Sequence, residues 1–120
     1  VVSNKRIEVV KRGLKQSGLD VYFDVVLGKE NLPEPKPSAS GLIEACNLLH
    51  TSHDDCIYVG DNVADIVAAK NMAAYSVGFS VDEKQREALK EAKPCKVIDD
   101  LMQLIPLCKE DHIWSDNTIW

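Results

Sequence analysis

Short apolar runs alternate with stretches of helical period along almost the whole chain, and this alternation restricts the fold more than any other feature. Residues 1–3 end a first apolar run. Residues 4–17 repeat on the helical period, with Ile7, Val10 and Leu14 on one face and Gly18 as the C-terminal cap. Residues 23–27 form a second short run ending at Gly28. Residues 29–37 contain Pro33, Pro35 and Pro37, which predicts an irregular loop. Ser38 or Ser40 then caps a helix whose apolar face is Leu42, Ala45, Cys46 and Leu49. A third run, 56–59, breaks at Gly60 and precedes a helix over 63–72 that buries Ile66, Ala69 and Ala73. A strand at 75–79, a charged helix at 82–92 and a strand at 96–98 come next. A last helix at 99–108 carries Leu101, Leu104, Ile105 and Cys108 on one face. Such alternation predicts an α/β fold, a parallel sheet covered by helices on both faces, with ligands at the carboxyl ends of the strands.

A chain of 120 residues suits one compact domain. The domain is expected over 1–108, with a tail over 109–120 that contains Trp114 and Trp120 and fits no element. A net charge of −5 and a pI near 5.1 argue against a nucleic-acid partner. No apolar run has the length to span a bilayer, and no signal-peptide pattern is visible. Cys46, Cys56, Cys95 and Cys108 form no CxxC pair, so buried free thiols are expected rather than zinc ligands or disulfides. That favours a reducing, cytoplasmic compartment. His50, His53 and His112 lack metal spacing and are expected in loops or at helix ends. Residue 1 is Val and lies inside an apolar run, so the chain is expected to be a piece of something longer.

The strand ends carry the residues with chemical potential. Ser3 and Asn4 either meet an anion where backbone N–H groups converge or simply cap a helix. Lys36, stiffened by flanking prolines, either points into a cleft as a phosphate contact or is incidental to a solvent loop. Asp61 and Asp65 come after the strand that ends at Gly60, whose freedom permits a sharp turn. They make a hard-oxygen pair suited to Mg²⁺, or they merely favour a helix N-terminus.

These three segments resemble, in order, motifs two, three and four of the haloacid-dehalogenase superfamily. Val1-Val2-Ser3-Asn4 resembles the second motif, Lys36 before Pro37 the third, and Gly60-Asp61-Asn62-Val63-Ala64-Asp65-Ile66 the fourth. The similarity extends over roughly residues 1–100. Within the superfamily it lies nearest the phosphoglycolate-phosphatase-like hydrolases. The resemblance implies a three-layer Rossmann-like core and a Mg²⁺-dependent phosphatase acting on a small phosphorylated metabolite. It implies that Ser3 and Asn4 contact the phosphoryl group, that Lys36 neutralises it, and that Asp61 ligates the metal. Asp65 would support the metal shell directly, through water or through Lys36.

The family's nucleophile belongs to a DxD segment ending the first strand, and this chain contains no DxD. Asp54-Asp55 and Asp99-Asp100 are adjacent pairs whose side chains diverge. The cap segment is missing as well. The expected partner is therefore the N-terminal segment of a parent protein, and the chain alone is expected to be inactive. The alternative is a non-catalytic, truncated module that acts by binding. A receiver-like phosphoacceptor domain fits less well, because Lys36 precedes the acidic strand rather than coming after it.

Overall fold

The computed structural model describes residues 1–109. In chain order the elements are α1 (Ile7–Gln16), α2 (Ser40–Leu48), β1 (Ile57–Gly60), α3 (Val63–Asn71), β2 (Tyr75–Phe79), α4 (Glu83–Glu91), β3 (Lys96–Ile98) and α5 (Leu104–Cys108). The strands form a parallel three-stranded sheet in the order β1-β2-β3. Tyr58 lies opposite Ser76 and Gly60 opposite Gly78.

Because side chains alternate along a strand, this register sorts the two faces. Tyr58, Gly60, Ser76 and Gly78 share one face. A Cβ on Gly78 would meet Leu89 of α4 and Ile66 of α3, so these helices pack close on that side. Ile66 and Leu89 are fully buried there. Ile57, Val59, Tyr75, Val77 and Phe79 share the other face, where Ile98 and α5, through Leu104 and Leu107, complete a second apolar cluster. Helices thus cover both faces.

Residues 1–3 and 25–27 pair beside this sheet without joining it. Leu27 donates to the Val1 carbonyl at 2.8 Å and Ser3 to the Leu27 carbonyl at 3.0 Å, a single parallel bridge between Val2 and Leu27. Val2 and Leu27 pack with Leu42 and Cys46 of α2, Ala68 and Ala69 of α3, and Met72 just beyond it.

Several boundaries differ from the expected ones. The run at 23–27 shrinks to that bridge, after a 3-10 turn at Asp20–Tyr22. Another such turn, Lys29–Asn31, interrupts the expected irregular loop. The helix at 99–108 splits into a 3-10 turn, Leu101–Gln103, and α5. Pro106 explains the split: it lacks an N–H and its ring blocks a preceding carbonyl, so a helix through it would be broken. Restarting at Leu104 puts Pro106 in the first turn, where it is tolerated. Leu107 becomes the buried residue of this segment, while Leu101 and Ile105 are exposed. Ala73 is exposed with φ +60° and lies in the turn after α3 rather than on its buried face. Of the four cysteines, all free, only Cys46 is buried and Cys95 is exposed. His50 lies just beyond α2 and His53 opens a 3-10 turn. His112 and all of the expected tail beyond residue 109 lie outside the described residues.

Candidate active site

Gly60 ends β1, and its missing side chain makes room for a carboxylate. A Cβ there would collide with the Asp65 side chain, which folds back over the strand end. Asp65 Oδ2 accepts from the backbone N–H groups of Asp61, at 3.1 Å, and Asn62, at 3.2 Å. Asp65 thereby satisfies donors at the start of α3 in a capping-box arrangement. Its other oxygen, Oδ1, accepts from Lys36 Nζ at 2.6 Å, a charge-assisted bond.

Lys36 arrives from the proline-rich loop, and Asn4 fixes its backbone. Asn4 Oδ1 accepts from the Lys36 N–H at 2.9 Å, and Asn4 Nδ2 donates to the Lys36 carbonyl at 3.1 Å. The Lys36 ammonium also donates to the Val2 carbonyl and to the Tyr58 hydroxyl, both at 3.0 Å. An ammonium has three protons, so all three are engaged. Burial, the largest influence, pulls the Lys36 pKa down, but hydrogen bonds to Asp65 and Tyr58 outweigh it and leave Lys36 above its ordinary value. Burial raises the Tyr58 hydroxyl, against the opposing effect of Lys36. Tyr58 in turn donates to the Val2 carbonyl at 3.0 Å.

Asp61 differs from Asp65. It is exposed, and its carboxylate makes no hydrogen bond or ion pair among the described residues. Its backbone is held instead: Gln85 Nε2 of α4 donates to the Asp61 carbonyl at 2.8 Å. A cleft of 330 Å³ opens at this end of the sheet, bordered by Lys36, Tyr58, Gly60, Asp61, Asp65 and Phe79. Ser3 adjoins the Val2 carbonyl that Lys36 grips, and its hydroxyl accepts from the Lys5 N–H at 3.1 Å.

The structure therefore links Asn4, Lys36, Asp65 and Asp61 through one hydrogen-bonded chain, with Ser3 next to Val2. The alternative of a simple N-cap at Ser3-Asn4 does not hold. Helix α1 starts at Ile7, and Glu30 receives the Ile7 N–H at 2.9 Å. Sequence reasoning did not single out Glu30, Gln85 or Tyr58. Tyr58 left a readable signal: it is the only polar-tipped side chain in its run, two residues before Gly60 and so on the same strand face.

A profile of the haloacid dehalogenase-like hydrolases matches residues 1–79. The chain belongs to that family.

Among its curated relatives, a Caldanaerobacter subterraneus protein named "Putative pyrophosphatase PpaX" is 38% identical over 93% of this chain and 52% of its own length. A pyrophosphatase PpaX from Listeria welshimeri is 32% identical, also over 93% of this chain and 52% of its own length. This haloacid dehalogenase-like chain therefore spans about half the length of the curated relatives it matches. Among solved structures, one from Haemophilus somnus named as a predicted phosphoglycolate phosphatase superposes with a TM-score of 0.82. It is 28% identical, with 89% of this chain and 48% of that one covered. A haloacid dehalogenase-like protein from Agrobacterium tumefaciens, 22% identical, superposes with a TM-score of 0.77 over 91% of this chain and 54% of that one.

Proposed function

We propose that this chain forms part of a Mg²⁺-dependent phosphatase that works through an aspartyl-phosphate, with the nucleophilic aspartate supplied from outside these residues. The observation that carries the reading is the Lys36–Asp65 pair locked beside the free Asp61 carboxylate at one end of a parallel sheet. The family membership agrees with it.

Each residue has a definable task under this reading. Asp61 offers an unencumbered hard-oxygen ligand. Mg²⁺ keeps several waters and takes only one or two carboxylates in many phosphate sites, so one free aspartate suits it. No cluster of three or more His, Cys, Asp or Glu stands among the described residues, so the remaining ligands come from elsewhere. Asp65 has both oxygens engaged, which makes its support of the metal indirect, through Lys36 or water. When bound, the metal neutralises charge on a phosphate oxygen. Lys36 does the same with its fixed ammonium, and Ser3 orients the phosphoryl group. Asn4 acts at one remove, by clamping the Lys36 backbone. Catalysis of this kind rests on positioning and charge neutralisation.

The substrate is a small phosphorylated metabolite. The names of the relatives favour inorganic pyrophosphate, and that of the Haemophilus neighbour favours phosphoglycolate. The four free cysteines favour a cytoplasmic setting. The alternative, a binding module without catalysis, predicts that no longer parent polypeptide turns over either substrate.

The test is phosphate release from pyrophosphate and phosphoglycolate by the parent polypeptide in the presence of Mg²⁺. Asp61→Asn keeps the shape and removes the charge, so turnover should fall by about 100-fold or more, corresponding to roughly 2.7 kcal/mol of barrier. Metal-independent turnover that survives Asp61→Asn unchanged would defeat the proposal.

A further inference from the structure

Two thiols meet at the start of β1, the other end of that strand from Asp61. Cys46 lies on α2 and Cys56 immediately precedes β1. Their sulfurs are 3.3 Å apart, and Cys46 also touches Met72 Sδ at 3.8 Å. Cys46 is 8% exposed. Cys56 is partly open and donates its S–H to the Ser52 carbonyl at 3.2 Å. A cleft of 180 Å³ bordered by Leu42, Leu49 and Tyr58 is lined by both cysteines.

We propose that Cys46 and Cys56 are a redox-sensitive pair that closes to a disulfide when the chain meets a low-molecular-weight disulfide such as oxidised glutathione. A disulfide spans about 2.05 Å, so the sulfurs need to approach by only about 1.3 Å.

The chemistry balances without another reagent. The Cys56 thiolate attacks one sulfur of oxidised glutathione, and the glutathione S–S bond breaks. The first glutathione leaves as a thiolate and takes a proton, which leaves a mixed disulfide on Cys56. Cys46 then gives its proton to solvent, and its sulfur displaces the second glutathione, which is protonated in turn. Two protein thiols are oxidised and one glutathione disulfide is reduced to two thiols. Burial and the Cys56 contact push the Cys46 thiol up to about 12, so the first attack falls to Cys56, and Cys46 closes the bond through its 3.3 Å proximity rather than through its acidity.

The bond joins two segments that serve the site. Helix α2 begins directly after the Lys36 loop, and β1 ends at Gly60-Asp61. A covalent tie between them restrains the distance between the loop that brings Lys36 and the strand that brings Asp61.

The experiment equilibrates the 120-residue chain in glutathione redox buffers, traps thiols with iodoacetamide and maps linked peptides by mass. Cys95 and Cys108 are separated by a similar length of chain and serve as the internal control. The expected result is a Cys46–Cys56 link with an equilibrium constant at least about tenfold above that of Cys95–Cys108, a preference lost in denaturing urea. Cys108→Ser should leave the link intact, and Cys56→Ser should remove it. Equal constants for the two pairs overturn the proposal, as does a glutathione adduct that persists on Cys56 without closure.

Discussion

The Lys36–Asp65 bond concentrates the energetics of the site in two side chains. Their side chains are 11% and 6% exposed, so removing one partner strands a charge away from water. Asp65→Ala should therefore cost about 3–5 kcal/mol of stability, read as a shift in the urea midpoint. The double variant Lys36→Met/Asp65→Ala should recover part of that loss, because no buried charge is left unpaired. The alkaline response separates this pair from the thiols. Lys36 is held above its ordinary 10.5, so its contribution is complete below that pH and fades only as pH rises through the higher folded value. Cys46 is raised from 9.0 to about 12, so its contribution is complete below pH 9 and is lost between 9 and 12. Tyr58, raised from 10.0, adds most of its decline above pH 10. Between pH 9 and 10 most of the loss belongs to the thiol: wild type should lose stability there, and Cys46→Val should lose markedly less. Thermal melts across that interval check it.

Two glycines set how closely helices approach the sheet, and they are not equivalent. A Cβ at Gly60 collides with Asp65, which cannot retreat without releasing two backbone N–H groups and Lys36. A Cβ at Gly78 meets Leu89 atoms at 3.3 Å, and a leucine side chain can yield a few tenths of an ångström. Gly60→Ala should thus cost about 1–3 kcal/mol and exceed the cost of Gly78→Ala, as compared by urea unfolding. At this scale much of the fold was legible. Residues 75–79 and 96–98 form strands at the expected bounds, because apolar, β-branched or aromatic runs flanked by turn signals have a paired neighbour to join. The run at 23–27 has the same character but reaches only residues 1–3, so a single bridge is all it can form. Composition does not reveal how much partner a strand has. Pro106 held the signal for the break in the last helix, but the reading of one helix over 99–108 ran through it. The meeting of Lys36 with Asp65 was legible only through the family resemblance, since 29 residues separate them. The clamp from Asn4 to the Lys36 backbone left no local trace at all.

On the scale of the molecule, two strand systems face each other without pairing. β1 has β2 on one edge and no strand on the other among the described residues. The bridge at Val2 uses the Val1 carbonyl and the Ser3 N–H toward Leu27, so the Val2 carbonyl points away from that bridge. Side chains rather than backbone meet it: Lys36 and Tyr58 both donate to this one oxygen. Under the proposed reading Asp61 is the metal ligand, and it is the only uncommitted carboxylate of the site among the described residues, which leaves none there to act as nucleophile. The 120-residue chain alone should therefore release no phosphate from pyrophosphate above background in Mg²⁺, in an assay that would register even about one turnover per second. The doubly occupied carbonyl carries a further consequence. A strand entering beside Val2 needs that oxygen for its own N–H, and with both lone pairs taken it must displace Lys36 or Tyr58. Where Lys36 is the one displaced, completing the sheet and freeing an ammonium proton are a single exchange. The two events are thermodynamically coupled, and by reciprocity an anion that draws Lys36 off the carbonyl eases the strand's entry by the same factor that the strand eases the anion's.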